Sequence, residues 1–202
     1  MAFSFEDAAD FLPKYLSPDG RKELFAELSR LPETHSYYAA NNNDELLQGD
    51  AWEGIYFFDV EASSRRQIKV VVLSNTCDIA SENSRDIPIR VTISPLIRVS
   101  RLTDLLQQHK VPEAEVEDKL HAIRRQEISN IFYFPKSAAL DDEYVVFFDN
   151  VQSQLPATFV GKTEKRRMFS LSQAGFWYFL LKLSIHFCRS NEGVIRGSGR
   201  QS

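Results

Sequence analysis

The run KVVVLSNTCDIASENSRDIPIRVTISPL, Lys69 to Leu96, carries an apolar stretch straight into Ser74, Asn75, Thr76, Cys77 and Asp78. A thiol beside a carboxylate at the end of a strand admits four kinds of chemistry. As a nucleophile, Cys77 needs a nearby cation or imidazole to favour its thiolate. Asp78, if close in space, opposes that, and the base would come from His35, His109, His121 or His186. As a metal ligand, Cys77 would join Asp78, His186 and Cys188. The last two stand two apart on one expected helix and point in different directions, so no metal and no other cofactor is expected. As structural residues, Ser74, Asn75, Thr76 and Asp78 are turn and cap formers, and Cys77 is a small residue suited to burial. As a binding edge, Asn75, Thr76 and Asp78 would read a ligand from the end of a rigid strand.

Arginines are the second source of chemistry. Ser63-Ser64-Arg65-Arg66 and Glu164-Lys165-Arg166-Arg167 are short basic patches. With Arg90, Arg98 and Arg101 they would make either a phosphate-binding face or a solvated surface. No phosphate-cradling Walker loop, dinucleotide fingerprint or Gly-x-Ser-x-Gly elbow occurs, which speaks against the common nucleotide-dependent enzymes and hydrolases.

These groups need elements to hold them. Phe3 to Leu16 and the stretch after Ser17-Pro18 have helical spacing, the second with a Ser cap and Pro at its first position. Gly49 to Val60 reads as a strand, Ala62 to Arg66 as a turn, and Ile68 to Leu73 as a strand covered on both faces. Ile87, Ile89, Val91 and Ile93 alternate with polar residues, the period of a half-buried strand. Leu102 to Gln126 is helical and charged, with a break at Val111-Pro112 that divides it in two. Strands resume at Asn130 to Pro135 and Glu143 to Val151, with a further short one at Arg166 to Ser172. Ser172 then caps a helix, Gln173 to about Arg189, that is apolar nearly all round and so belongs in a core or an interface.

The chain has 202 residues, 43% of them hydrophobic, enough to bury a core without metal or disulfide staples. Its formal charge of -4 gives no general attraction to nucleic acid or anionic membrane. The opening residues lack a charged n-region followed by an apolar stretch, and no apolar run approaches the ~20 residues of a membrane helix. The expectation is a cytoplasmic protein, away from membranes, with two reduced cysteines.

The segment QGDAWEGIYFF…RRQIKVVVLSN…VTISPL resembles the core of the PemK/MazF-like proteins, small SH3-like barrels. Gly49-Asp50, Val71-Val72-Leu73-Ser74 and Ser94-Pro95 carry the resemblance, over about Gln48 to Ile97. It implies an α+β fold: a central SH3-like small β-barrel with flanking and inserted α-helices. Residues 1–43 would be a helical segment, 44–170 the barrel with its insertion at about 102–126, 171–190 the last helix and 191–202 a disordered tail. The family's RNA-cleaving members depend on an Arg before the Val-Val strand and a Thr or Ser after the Pro. Here Ile68 and Lys69 occupy the Arg-Pro positions, with Arg66 two residues early, and Ile97 stands at the Thr or Ser position. The resemblance thus implies a non-catalytic binding or regulatory protein on a toxin-like barrel, in a toxin–antitoxin or phage-defence setting. It would act with a protein partner or as a homodimer, and Asn75, Thr76, Arg65 and Arg90 are its candidate ligand-binding residues. One alternative is an endoribonuclease with a rearranged site, Arg65 or Arg66 holding phosphate and Asp78 acting as base. Another is an enzyme dependent on Cys77.

Overall fold

The structure is a computed structural model that describes residues 17–19, 21–23, 25–26, 37–39, 45–60, 62–80, 88–138, 140–159 and 165–188. The helix expected at Phe3 to Leu16, the Asn83 to Asp86 turn, His35 and the segment after Asn191 lie outside the described residues. Pro18, Asp19, Arg21 to Glu23, Phe25 and Ala26 are helical, as the Ser17-Pro18 start signal predicts.

The chain then builds an antiparallel sheet of eight strands: β1 (Tyr38–Ala39), β2 (Ala51–Asp59), β3 (Ser64–Val72), β4 (Val91–Arg98), β5 (Ile131–Phe134), β6 (Tyr144–Phe147), β7 (Gln152–Gln154) and β8 (Arg166–Leu171). Its order is β1-β8-β2-β3-β4-β6-β5, with β7 on β4. Besides the helical residues around Pro18, four helices accompany it among the described residues: α1 (Thr76–Ile79), α2 (Val99–Gln108), α3 (Glu113–Arg124) and α4 (Gln173–Cys188). The mixed α+β class follows directly. The turn read at Ala62 to Arg66 is shorter than expected: Ser63 alone takes φ +48, and Ser64, Arg65 and Arg66 already pair with Asp59, Phe58 and Phe57. The break before Pro112 does separate two helices, α2 and α3.

The barrel expected from the sequence is corrected to an open sheet. β4 pairs with β3 only from Ile93 to Pro95, then diverges to pair Leu96, Ile97 and Arg98 with β6. On the edge of β4 opposite β3, the chain after β6 runs on as β7, paired at Val91 to Ile93. The outer edge of β2 pairs with β8 at Ala51 to Glu53 and with no strand beyond that among the described residues. Side chains span the remaining opening instead: the Phe58 amide donates to Gln152 Oε1 at 3.2 Å, and Gln154 Nε2 donates to the Tyr56 carbonyl. A register shift between Trp52 and Ile55 holds Gly54 at φ +76, a bulge conformation that glycine adopts without strain.

Three apolar clusters fill the layers. Ile55, Val70, Val72, Ile79, Val91, Ile93 and Phe159 pack inside the curl of β2, β3 and β4. Val99, Ile123, Ile131, Tyr133 and Val145 join α2 and α3 to β5 and β6. The largest cluster sets Tyr178, Phe179, Leu181, Leu183 and Ile185 of α4 against Phe132, Phe134, Val146, Phe148 and Phe169. The apolar last helix therefore spends most of its surface on its own core, leaving Phe187 exposed at its end. Ser172 caps it, accepting from the Gly175 amide at 3.1 Å.

Gly175 shows how closely α4 approaches the sheet. A Cβ there would lie 2.5 Å from the Tyr37 carbonyl oxygen, which is backbone and already accepts from Ser172 N at 2.8 Å. Gly175→Ala is therefore expected to destabilise the protein by about 2 kcal/mol through overpacking, read as a lower urea midpoint. An unchanged midpoint would mean that the helix can shift outward at no cost.

Lys182, 1% exposed, fixes the same helix to α3. Its Nζ lies 2.9 Å from Gln126 O, 3.0 Å from Gln126 Oε1, 3.0 Å from Ile128 O and 2.5 Å from Ile131 O. Gln126 follows the C-terminus of α3 with φ +61, and its side chain bonds both the Tyr133 amide and the Tyr133 carbonyl.

Candidate functional site

Thr76, Cys77 and Asp78 form the single turn α1 directly after β3. Asn75 is its N-cap, accepting from the Cys77 amide at 2.9 Å. Thr76 Oγ1 accepts from the Gln48 amide at 3.0 Å, and Gln48 Nε2 donates to the Leu73 carbonyl at 2.8 Å. Ser74 Oγ accepts from the Thr92 amide at 2.8 Å. The polar strand end is thus a clasp: it joins the end of β3 to the turn before β2 and to β4. This agrees with the capping expectation for Ser74, Asn75 and Thr76. Cys77 departs from it, because the thiol is exposed rather than buried. Ile79 anchors α1 in the cluster within the curl, whereas His109 follows the end of α2 and His121 and His186 belong to α3 and α4, helices that pack on the other two clusters. Among the described residues no three His, Cys, Asp or Glu side chains gather as a metal site.

A concavity lies at the other end of β3. Where β3 and β4 part after Val70 and Pro95, a groove of about 830 Å³ opens. The β2–β3 hairpin supplies Phe57, Phe58, Asp59, Val60, Arg66, Ile68 and Lys69. Pro95 to Arg98 of β4 and Ser100, Arg101 and Asp104 of α2 form the facing wall, and Asn150 to Gln152 close one end. Tyr144 forms part of the lining. The groove therefore has four cationic side chains and, at the hairpin tip and beside Asn150, apolar groups open to water: Phe58 is 45% exposed, Val60 76% and Val151 44%.

The cations are not equivalent. Arg66 is held by Asp59 at 2.9 Å, and Arg98 by Asp141 at 3.3 Å and Asp142 at 3.5 Å. Among the described residues Lys69 and Arg101 have no ion pair. The Tyr144 hydroxyl accepts from Lys69 Nζ at 2.7 Å and from Arg98 Nε at 3.2 Å, and donates to Asp141 Oδ1 at 3.0 Å. That donated bond, with the cations behind it, holds the Asp141 carboxyl below the usual range. The same hydroxyl raises Arg98 above the usual arginine range, so its charge is permanent.

Arg66, Arg98 and Arg101 thus come together, and the other expected arginines do not join them. Arg65 stacks 4.1 Å from the Tyr56 ring centroid. Arg90 binds Ser153, its Nε 3.1 Å from Oγ and its Nη2 2.8 Å from the carbonyl, and so fastens β7. Arg166 pairs with Glu53 at 2.7 Å, and Arg167 lies 3.0 Å from the buried Asp50 carboxylate. Lys69 is the groove residue that sequence reading left out of the site. Six residues separate Arg66 from Val72, about 20 Å of strand, and Asp78 follows in α1; Arg66 lines the groove and Asp78 is not among its lining residues.

No protein-family model matches this chain, and no curated protein matches it. Among the described residues no helix is long and apolar enough to cross a membrane.

Proposed function

We propose that this protein is a non-catalytic binding and regulatory module whose ligand occupies the groove between the β2–β3 hairpin, β4 and α2. One observation carries the reading: the groove gathers Arg66, Lys69, Arg98 and Arg101 beside exposed apolar side chains, and among the described residues none that lines it is a cysteine or a histidine. Such a surface holds an anion without offering a thiol or an imidazole for catalysis. The likeness of the Gly49-Asp50, Val71 to Ser74 and Ser94-Pro95 segments to toxin-type barrels supports a regulatory role in a toxin–antitoxin or phage-defence setting. A ribonuclease working through Arg66 and Asp78 would need both at one phosphate, against about 20 Å of intervening strand.

The test is incubation of the purified protein with total RNA, with and without a divalent metal, beside Arg66→Ala and Asp78→Ala. Intact RNA in every lane is the expected result. Specific cleavage that disappears in either variant would overturn the reading and make the protein a ribonuclease.

A further inference from the structure

The groove has more chemistry than anion attraction alone. Lys69 Nζ and Arg98 Nε both bond one oxygen, Tyr144 Oη, at 2.7 Å and 3.2 Å, which keeps the two cationic nitrogens within about 6 Å of each other. Two positive groups at that separation repel unless an anion lies between or beside them. Asp141 and Asp142 pair with Arg98, and Asp141, bonded to the same hydroxyl as Lys69, also lies near that ammonium; Lys69 and, one turn into α2, Arg101 make no direct ion pair among the described residues. The Tyr144 hydroxyl cannot itself meet a ligand, since its lone pairs serve Lys69 and Arg98 and its proton serves Asp141. Buried at 1% exposure, it is a positioning residue that aims two cations into the groove.

The other end of the groove is apolar. Phe58 pairs with Arg65, four residues along β3 from Lys69, about 13 Å of strand. Phe58, Val60 and Val151 are all exposed there, and Asn150 brings an amide that can donate and accept beside them. A flat ring lying on Phe58 would cover this apolar surface, and its polar edge would face Asn150. The volume of about 830 Å³ suits one small molecule.

We propose, resting on the binding reading above, that the groove is a site for a free nucleoside polyphosphate. Its base stacks at Phe58, and its phosphates meet Lys69, Arg98 and Arg101. A long polynucleotide fits less well. Asp59, Asp104, Asp141 and Asp142 flank the cations, so a backbone running through the groove would pass carboxylates on its way out. The formal charge of -4 adds no wider field to hold it. A compact polyphosphate meets the cations without extending past them.

The experiment is isothermal titration of the full chain with the common nucleoside triphosphates, adenosine, inorganic tripolyphosphate and a short single-stranded RNA, each with and without Mg²⁺. At least one triphosphate is expected to bind roughly tenfold or more tighter than adenosine. Lys69→Met should weaken triphosphate and tripolyphosphate alike, by roughly tenfold. Phe58→Ala should weaken the nucleotide and leave tripolyphosphate unchanged. Both side chains reach the groove surface, and matching melting curves would show that the variants fold. Triphosphates bound no better than adenosine, or a Lys69→Met protein that binds them normally, would overturn the proposal. RNA bound through Lys69 in place of nucleotide would also overturn it, yet leave the groove a binding site. Cleavage of that RNA would instead remove the non-catalytic reading beneath it.

Discussion

Lys182→Met should lower the stability of this protein by about 3 kcal/mol and its melting temperature by about 10 °C. Methionine matches the lysine stem in length and is apolar, so it leaves no large cavity. What it removes is the donor shared by the carbonyls of Gln126, Ile128 and Ile131 and by Gln126 Oε1. A buried acceptor left without a donor costs about 1–3 kcal/mol. Relief from burying an ammonium offsets part of that sum, which is why the expected loss is smaller than the full count of bonds suggests. Burial pushes the Lys182 amine well below the ordinary lysine range. The unfolded chain then binds more protons than the folded one up to a pH of about 10.4, so this group adds stability as pH rises toward that value. Wild type gains from the rise and the variant does not. The gap between them, measured by urea unfolding, should therefore be wider at pH 9.5 than at pH 7.5. Lys119→Met, at a side chain 47% exposed, is the control and should change stability by less than about 0.5 kcal/mol. A loss below about 1 kcal/mol at Lys182 would mean that water or a backbone shift satisfies the four oxygens.

The elements legible in the sequence are those whose burial is written in local periodicity. Ile89, Val91 and Ile93 alternate, and β4 follows from them. Val70, Val71 and Val72 form a run, and β3 is covered on both faces there. Asn75 and Ser74 are cap and turn formers by side-chain chemistry alone, and they act as such. β7 escaped because Gln152-Ser153-Gln154 has no apolar signal; it is a strand only because the chain after β6 runs on along the edge of β4. The groove was half legible. Arg66, Arg98 and Arg101 stood out as cations, but nothing local says that Arg65 and Arg90 turn elsewhere. Their grouping depends on β4 leaving β3 after Pro95 for a partner some fifty residues away in the chain. Lys69 was hidden by its neighbours, an apolar run in which a lone lysine reads as a solvated edge. The expected barrel failed for a related reason: closure needs β2 to meet β7 by backbone, and two glutamine side chains make that contact instead.

Asp50 should make the stability of the protein depend on pH in a sense opposite to that of a surface-paired carboxylate. Its side chain is 1% exposed, and burial pushes its carboxyl up to about 6, against the opposing pull of Ser170 and of Arg167. The 3.0 Å approach of Arg167 Nε is a charge contact rather than an aligned hydrogen bond, so it compensates the buried charge only in part. In the unfolded chain the group titrates near the ordinary aspartate value of about 3.9. Between those two values the folded protein holds a proton that the unfolded chain has lost. Stability from this group is then fully present below about 4 and is lost as pH rises through about 6. Asp50→Asn keeps the shape and removes the titration. Relative to wild type, the variant should fare worst at pH 4.5 and best at pH 7.5, the two differences separated by about 2 kcal/mol. Taking the difference between the two proteins at each pH cancels carboxylates such as Glu143, held low by Arg124, which act in the other direction. A difference that stays constant from pH 4.5 to 7.5 would mean that Arg167 keeps Asp50 ionised throughout, and that the turn before β2 is held by a full ion pair.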